Sequence, residues 1–157
     1  MGTLSPELRA FLVSGLAGTI AVARADGGLA MARIWAARAG EGDVLEVFVQ
    51  RSSGHEVIEA LASPGRAAAN LIDVPTYRSR SFKGVCALAP TDDQVDASFL
   101  EESLAAVEHA FQAVGMPGGS VERMLSHGSD PHAMAALRIT VESVFDQSPK
   151  PGAGARI

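Results

Sequence analysis

Three strand-like runs separated by short turns occupy residues 19 to 51, and they limit the fold more than any other feature. The runs are TIAVARAD (19–26), LAMARIWAARA (29–39) and VLEVFVQR (44–51), with turns at Gly27-Gly28 and at residues 40 to 43. Turns this short join neighbouring antiparallel strands, whereas parallel strands need a crossover of about a dozen residues or more. The chain is therefore predicted to start an antiparallel sheet here.

Helix signals lie on both sides of these strands. Ser5-Pro6-Glu7 is typical of a helix start, and the helix is expected to end at Gly15. Ser53 and Glu56 have the spacing of a capping box, which predicts a short helix ending near residue 63. From Asp96 to Val114 apolar residues recur at steps of three and four, which predicts a long amphipathic helix.

The remaining strand-like runs are residues 66–74, 77–90 and 135–145, and Gly84 is expected to mark a bulge or a close approach. The order is then helix, three strands, short helix, two strands, long helix and last strand. This order has too few crossovers for a doubly wound sheet and favours a mainly β, α+β fold, an antiparallel barrel of roughly six strands with flanking helices. We expect one domain over residues 1–146 and a C-terminal tail over residues 147–157.

Composition excludes several classes of protein. The 157 residues carry a net charge of -5, which argues against a nucleic-acid partner, because such proteins present a broad basic surface. Cys86 is the single cysteine, so no internal disulfide is possible, and a small core residue in a reducing compartment is expected. No stretch of about 18 apolar residues and no secretion signal is present, so we expect a cytoplasmic protein without a membrane partner.

Metal and nucleophile motifs are weak. His127, Asp130 and His132 share one loop but have no accepted metal spacing, so loop structure is the favoured interpretation and no metal site is predicted. His109 is interpreted as a surface or interface residue. No residue is assigned a catalytic role.

Positively charged side chains form a stronger pattern than the metal and nucleophile motifs. They are Arg33 and Arg38 on the second strand, Arg51 beside Ser53 before the short helix, and the run Arg78, Arg80 and Lys83. Guanidinium groups near a helix start suit a phosphate ligand. An equally weighted alternative is that these arginines cap strand ends and neutralise the acidic helix.

The run from GGLAMARIWAARAGEGDVLEVFVQR to YRSRSFKGVCALAP resembles the FMN-binding split-barrel family, whose type member is pyridoxamine 5'-phosphate oxidase. The resemblance implies a split barrel, a homodimer with FMN at its interface, and hydride transfer through the flavin. It covers roughly residues 5 to 90, with the strand at 136–145 similar to the family's last barrel strand.

The resemblance also implies a set of cofactor-binding residues. The family's R-x-x-x-x-K pair corresponds to Arg33 and Arg38, with Ile34 and Trp35 between them. A regular strand sends residues five apart to opposite faces, so this pair reaches one ligand only if a bulge or a partner subunit intervenes. The family's phosphate-binding strand end and S-R-K helix start correspond to Val49, Gln50, Arg51, Ser53 and His55, with Gly54 and His55 in place of the two cations.

On the strand YRSRSFKG, alternation puts Ser79 and Lys83 on the face that the family turns toward the flavin. Arg78 and Arg80 are expected on the other face, meeting solvent, the acidic helix or a partner subunit. The substrate motif R-x-H of the oxidase is absent from the tail QSPKPGAGARI, so pyridoxamine phosphate oxidation is not expected.

Two functions follow from this sequence. One is an FMN-dependent oxidoreductase that acts on an unidentified small molecule. The other is a non-catalytic split-barrel binding protein that has lost FMN or binds heme or a deazaflavin.

Overall fold

The structure is a computed structural model that describes residues 4–90, 95–125 and 130–157. Within these ranges the helices are Pro6–Leu12 (α1), His55–Ala60 (α2), Ala97–Ala113 (α3) and Ser120–Met124 (α4), with a 3-10 turn at Pro131–Ala133. The strands are Leu16–Ala23 (β1), Leu29–Ile34 (β2), Ala36–Ala39 (β3), Val44–Gln50 (β4), Gly65–Asp73 (β5), Arg78–Leu88 (β6) and Met134–Asp146 (β7). The predicted α+β class and element order are confirmed.

All seven strands of the described chain form one curled sheet in the order β2-β1-β5-β6-β7-β4-β3. Neighbouring strands are antiparallel throughout. The two edge strands, β2 and β3, are consecutive in the chain and are separated only by Trp35. Trp35 thus joins the two edges of the sheet, and this is why the six predicted strands become seven.

The break at Trp35 also reverses the side-chain alternation. Ile34 lies in the core inside the sheet, and Ala37 packs against that core, whereas Trp35 and Ala36 both belong to a second cluster outside the sheet. Arg33 and Arg38 can share a face only if the strand is interrupted between them. The break at Trp35 is such an interruption, and it lies within a single chain.

Helix α3 covers part of the outside of the sheet. Asp96 caps its N-terminus by accepting hydrogen bonds from the N–H groups of Ser98 and Phe99 at 2.8 and 3.1 Å. Its apolar stripe packs on Trp35 and on Phe48 of β4; the buried helix residues of this cluster are Leu100, Leu104, Val107 and Phe111. The predicted amphipathic helix is confirmed, and its apolar side is occupied within the chain.

The start of α2 differs from the prediction. Its N-cap is Gly54, not Ser53, and no side chain caps it. The chain leaves β4 in a tight turn in which the Gly54 N–H donates to the Gln50 carbonyl at 2.8 Å. A Cβ atom at Gly54 would lie 2.7 Å from that same oxygen. The turn therefore sets the helix start, and the capping box is wrong.

Gly84 marks a bulge, as predicted. The register between β6 and β7 shifts between Lys83 and Gly84, and a Cβ atom at Gly84 would collide with the Thr140 carbonyl oxygen. The shift also changes the alternation along β7, since Val141 and Val144 are both buried. Ile139, Val141, Ser143 and Phe145 alternate in sequence but therefore do not share one face, since the alternation changes beyond residue 141.

Among the described residues, no helix combines the length and the apolar character needed to cross a membrane.

Candidate functional site

Arg33 and Ser79 meet at one recess on the outer face of the sheet. Strand β1 brings them together, because Thr19 pairs with Arg33 on one side and with Asn70 on the other. Ser79 stands opposite Ile72 on the next strand pair. The recess has a volume of about 410 Å³ and is lined by Gly18, Thr19, Arg33, Asn70, Leu71, Ile72 and Ser79. We call it the Arg33 recess.

Arg33 is held in the recess by aromatic rings. Its guanidinium carbon lies 4.8 Å from the centre of the Trp35 ring and 5.8 Å from that of Phe111. Partial burial lowers the pKa of Arg33 below its ordinary value, although a guanidinium stays protonated in proteins. Among the described residues no carboxylate pairs with Arg33. A cation oriented in this way is available to an anionic or carbonyl group.

Arg38 has a different environment. Its Nε donates to Glu46 Oε2 at 2.6 Å, and the Nε of Arg138 donates to Glu46 Oε1 at 2.9 Å. Burial by itself raises the pKa of Glu46, but the hydrogen bonds from Arg38 and Arg138 outweigh this effect and hold the pKa below its ordinary value. Arg38 is therefore already paired with a carboxylate inside the chain.

The two arginines also contact different parts of α3. Arg33 contacts Phe111, whereas Arg38 contacts Phe99 with its guanidinium carbon 4.8 Å from the ring centre. These phenylalanines are twelve positions apart on α3, a distance of about 18 Å along the helix axis. Within one chain the pair shares a face, but each arginine lies against its own set of aromatic rings.

Four predicted site residues are covered by the chain itself. Ile34 and Val49 lie in the core inside the sheet, with 1% and 0% of their surface exposed. Trp35 lies under α3 with 3% of its surface exposed, and its indole Nε1 has no hydrogen-bond partner in the described structure. Gln50 is 1% exposed.

The predicted residues after β4 lie away from the Arg33 recess. Arg51, Ser53 and His55 are exposed. Arg51 lines a different cleft, of about 510 Å³, together with Asp96 and His132. His55 Nδ1 lies 3.0 Å from the Ser52 carbonyl oxygen, within the turn. The structure therefore does not bring this group together with Ser79.

The run YRSRSFKG, which includes Tyr77 and most of β6, separates into different roles. Lys83 is exposed on the outer face, 4.6 Å from the Phe145 ring, and does not line the recess. Arg78 is exposed, and its guanidinium carbon lies 5.5 Å from the centre of the Phe11 ring. Arg80 is 8% exposed and forms a buried ion pair with Asp146 at 2.9 Å. The expectation that Arg80 meets solvent, the acidic helix or a partner is wrong.

Thr19 and Asn70 are the recess residues that sequence reasoning missed. Each interrupts a strand of otherwise small or apolar residues, in GTIAVA and AAANLI. Such polar interruptions at outward positions were the available signal. Only the strand pairing shows that both stand beside Arg33.

The other candidates carry little chemistry. His127 lies outside the described residues, and in the described part of the chain no group of His, Cys, Asp and Glu is arranged to hold a metal. Asp130 accepts the His132 N–H at 2.9 Å and caps the 3-10 turn, a local role. His109 is exposed.

Burial raises the pKa of the Cys86 thiol to about 12, so the thiol is not a nucleophile at neutral pH.

Comparison with known proteins identifies the fold. The sequence matches no protein-family model and shows no significant similarity to a curated protein. The structure is similar to that of HupZ from Group A Streptococcus, with a TM-score of 0.54, 15% identity, and 96% of this chain and 98% of that chain covered. It is also similar to a putative pyridoxamine 5'-phosphate oxidase from Lactobacillus delbrueckii, with a TM-score of 0.55, 14% identity, and 92% and 95% covered.

A third similar structure is an F420 reductase, with a TM-score of 0.50, 18% identity, and 89% of this chain and 98% of that chain covered. Such low identities carry information on the fold alone. The chain has the split-barrel fold of pyridoxamine 5'-phosphate oxidase-like proteins.

Proposed function

We propose that this protein binds a flavin-type cofactor, with FMN as the first candidate, and acts as an oxidoreductase on a small molecule. The observation that carries the proposal is the Arg33 recess. It presents a guanidinium without a carboxylate partner among the described residues, oriented by Trp35 and Phe111 and surrounded by polar side chains.

The recess fits the polar edge of a flavin better than the α2 start fits its phosphate. Arg33 can donate to ring carbonyl oxygens or to an anionic group, and Thr19, Asn70 and Ser79 add donors and acceptors. A bound flavin supplies hydride transfer, and the protein supplies binding and orientation. By contrast, α2 is six residues long, Gly54 and His55 stand in place of two cations, and Ser53 caps nothing.

We further propose that the protein is a homodimer whose second subunit covers this face. The apolar stripe of α3 is already packed within the chain, so the contact would use the sheet. Leu29 and Met31 are 65% and 58% exposed on β2, and Met31 stands on the same face as Arg33. The recess is thus continuous with an exposed apolar surface, on which a partner would complete the cofactor site.

The second candidate is a binding protein without flavin catalysis. It is favoured by the neutralisation of Arg38 by Glu46 and by the missing cations at residues 54 and 55. Loss of charge-assisted phosphate contacts costs about 1.5 to 3 kcal/mol each. Heme or a deazaflavin would then be the ligand, and one structural neighbour is an F420 reductase.

One set of measurements separates the two functions. The purified protein is examined for visible absorption and then titrated with FMN, riboflavin, a deazaflavin and heme while its thermal unfolding is followed. A true ligand at 100 times its Kd stabilises the fold by about 2.7 kcal/mol. We expect FMN to bind. A response to heme or deazaflavin alone supports the second candidate, and no response to any of the four rules out the first.

A further inference from the structure

We propose that the C-terminal segment 147–157 is a strap that positions Ser79 in the Arg33 recess, with Ser148 as its positioning residue. The inference rests on the proposed function, because it assigns the strap a role at that recess.

The strap holds the backbone of Ser79 at both of its polar groups. The Ser79 N–H donates to Ser148 Oγ at 3.1 Å, and the Ser79 carbonyl accepts from the Gln147 N–H at 2.9 Å. Ser79 lies at the start of β6, on the strand pair that forms one wall of the recess. Its position therefore depends on residues far away in sequence.

Ser148 is itself fixed by a buried polar cluster. It is 6% exposed, its hydroxyl accepts from Arg80 Nη1 at 3.1 Å, and its N–H donates to Asp146 Oδ1 at 2.9 Å. Asp146 also pairs with Lys150 at 2.9 Å. Hydrogen bonds from the Ser148 side chain, then from Lys150, hold the pKa of Asp146 well below its ordinary value. Asp146 therefore stays ionised at neutral pH.

The rest of the strap is anchored to β7. The Asp146 N–H donates to the Ala155 carbonyl at 2.9 Å, and the Ile157 N–H donates to the Val144 carbonyl at 2.9 Å. Arg156 forms a single antiparallel bridge with Phe145 and donates to the Glu142 carbonyl at 3.1 Å. Most strap side chains are exposed, so they add little to the core. These contacts therefore serve to position Ser79 rather than to stabilise the hydrophobic core.

The test removes the Ser148 hydroxyl and reads the recess with and without ligand. In Ser148→Ala the Ser79 N–H loses its hydrogen-bond acceptor, which should speed amide hydrogen exchange at Ser79 by up to about tenfold. Amide NMR signals of Thr19 and Asn70 should shift, and FMN affinity should fall by a similar factor. Ser148→Thr, which keeps the hydroxyl, should restore all three, whereas Ser63→Ala on an exposed loop should change none.

Each outcome decides the inference. Unchanged exchange at Ser79, or unshifted signals at Thr19 and Asn70, overturns it whether or not FMN binds. If the wild-type protein binds no FMN, the proposed function fails, and the ligand-free measurements still judge the strap. If Ser148→Ala does not fold, Lys150→Ala tests the same inference at a side chain that is 58% exposed. Amide hydrogen exchange at Ser79 should then rise about threefold.

Discussion

At the scale of single residues, the partner of each arginine decides its role. Arg33 has aromatic neighbours and no carboxylate partner in the described structure, Arg38 shares Glu46 with another arginine, and Arg80 is buried against Asp146. The charge is the same in all three cases. Because a charge already paired inside the fold has less to offer a ligand, Arg33 is the strongest candidate for cofactor binding.

Replacement of Arg33 should weaken ligand binding without affecting folding. Loss of a charge-assisted hydrogen bond costs about 1.5 to 3 kcal/mol, so Arg33→Gln should raise the Kd for FMN roughly 10- to 100-fold. Arg66→Gln is the matched control, because Arg66 forms an exposed ion pair with Glu142 away from the recess. Fluorescence titration of FMN measures both. Equal affinities in the two variants would show that Arg33 has only a structural role.

At the scale of elements, the sequence predicted the order of helices and strands but missed local breaks. Hydrophobic periodicity and turn residues are local signals, so they placed α3 and all the strand runs. The start of α2 depends on the tight turn between Gln50 and Gly54, and the alternation change in β7 depends on its pairing with β6. Gly84 is the exception, because a glycine within a strand indicates that another part of the backbone comes close. Only the fold identifies that part as Thr140.

Gly84→Ala tests this close approach. The added methyl group must displace the β7 backbone at Thr140, and overpacking of this kind costs about 1 to 3 kcal/mol. Gly65→Ala is the control, since the nearest atoms to a Cβ there are 3.9 Å away. Urea unfolding should show a lower midpoint for Gly84→Ala only. Similar midpoints for both variants would mean that the sheet relaxes around the bulge at little cost.

At the scale of the whole molecule, the continuous segment through Trp35 joins the edges of the sheet, and α3 then covers part of its outside. The face of β2, β1, β5 and β6 that holds the recess is left with the exposed side chains of Leu29 and Met31. Burial of such side chains is favourable by about 25 cal/mol per Å². This face is therefore the surface that we assign to the second subunit.

A charge on this face should separate the subunits. We expect the wild-type protein to sediment as a dimer and Met31→Glu to sediment mainly as a monomer, because burying a carboxylate in the apolar contact removes it from water at a cost in free energy. Val13→Glu, at a 78% exposed position at the end of α1, is the control and should remain dimeric. Analytical ultracentrifugation distinguishes these states. A wild-type monomer that binds FMN would exclude the shared site.

The sequence by itself determined the α+β class, the antiparallel strand order along the chain, the long helix and the buried Cys86, because these follow from local periodicity, short turns and composition. Only the tertiary structure decided which cation is available, that Thr19 and Asn70 stand beside Arg33, and that Ser148 holds Ser79. These facts depend on strand register and on contacts between residues distant in the chain. A single sequence carries no direct record of such contacts.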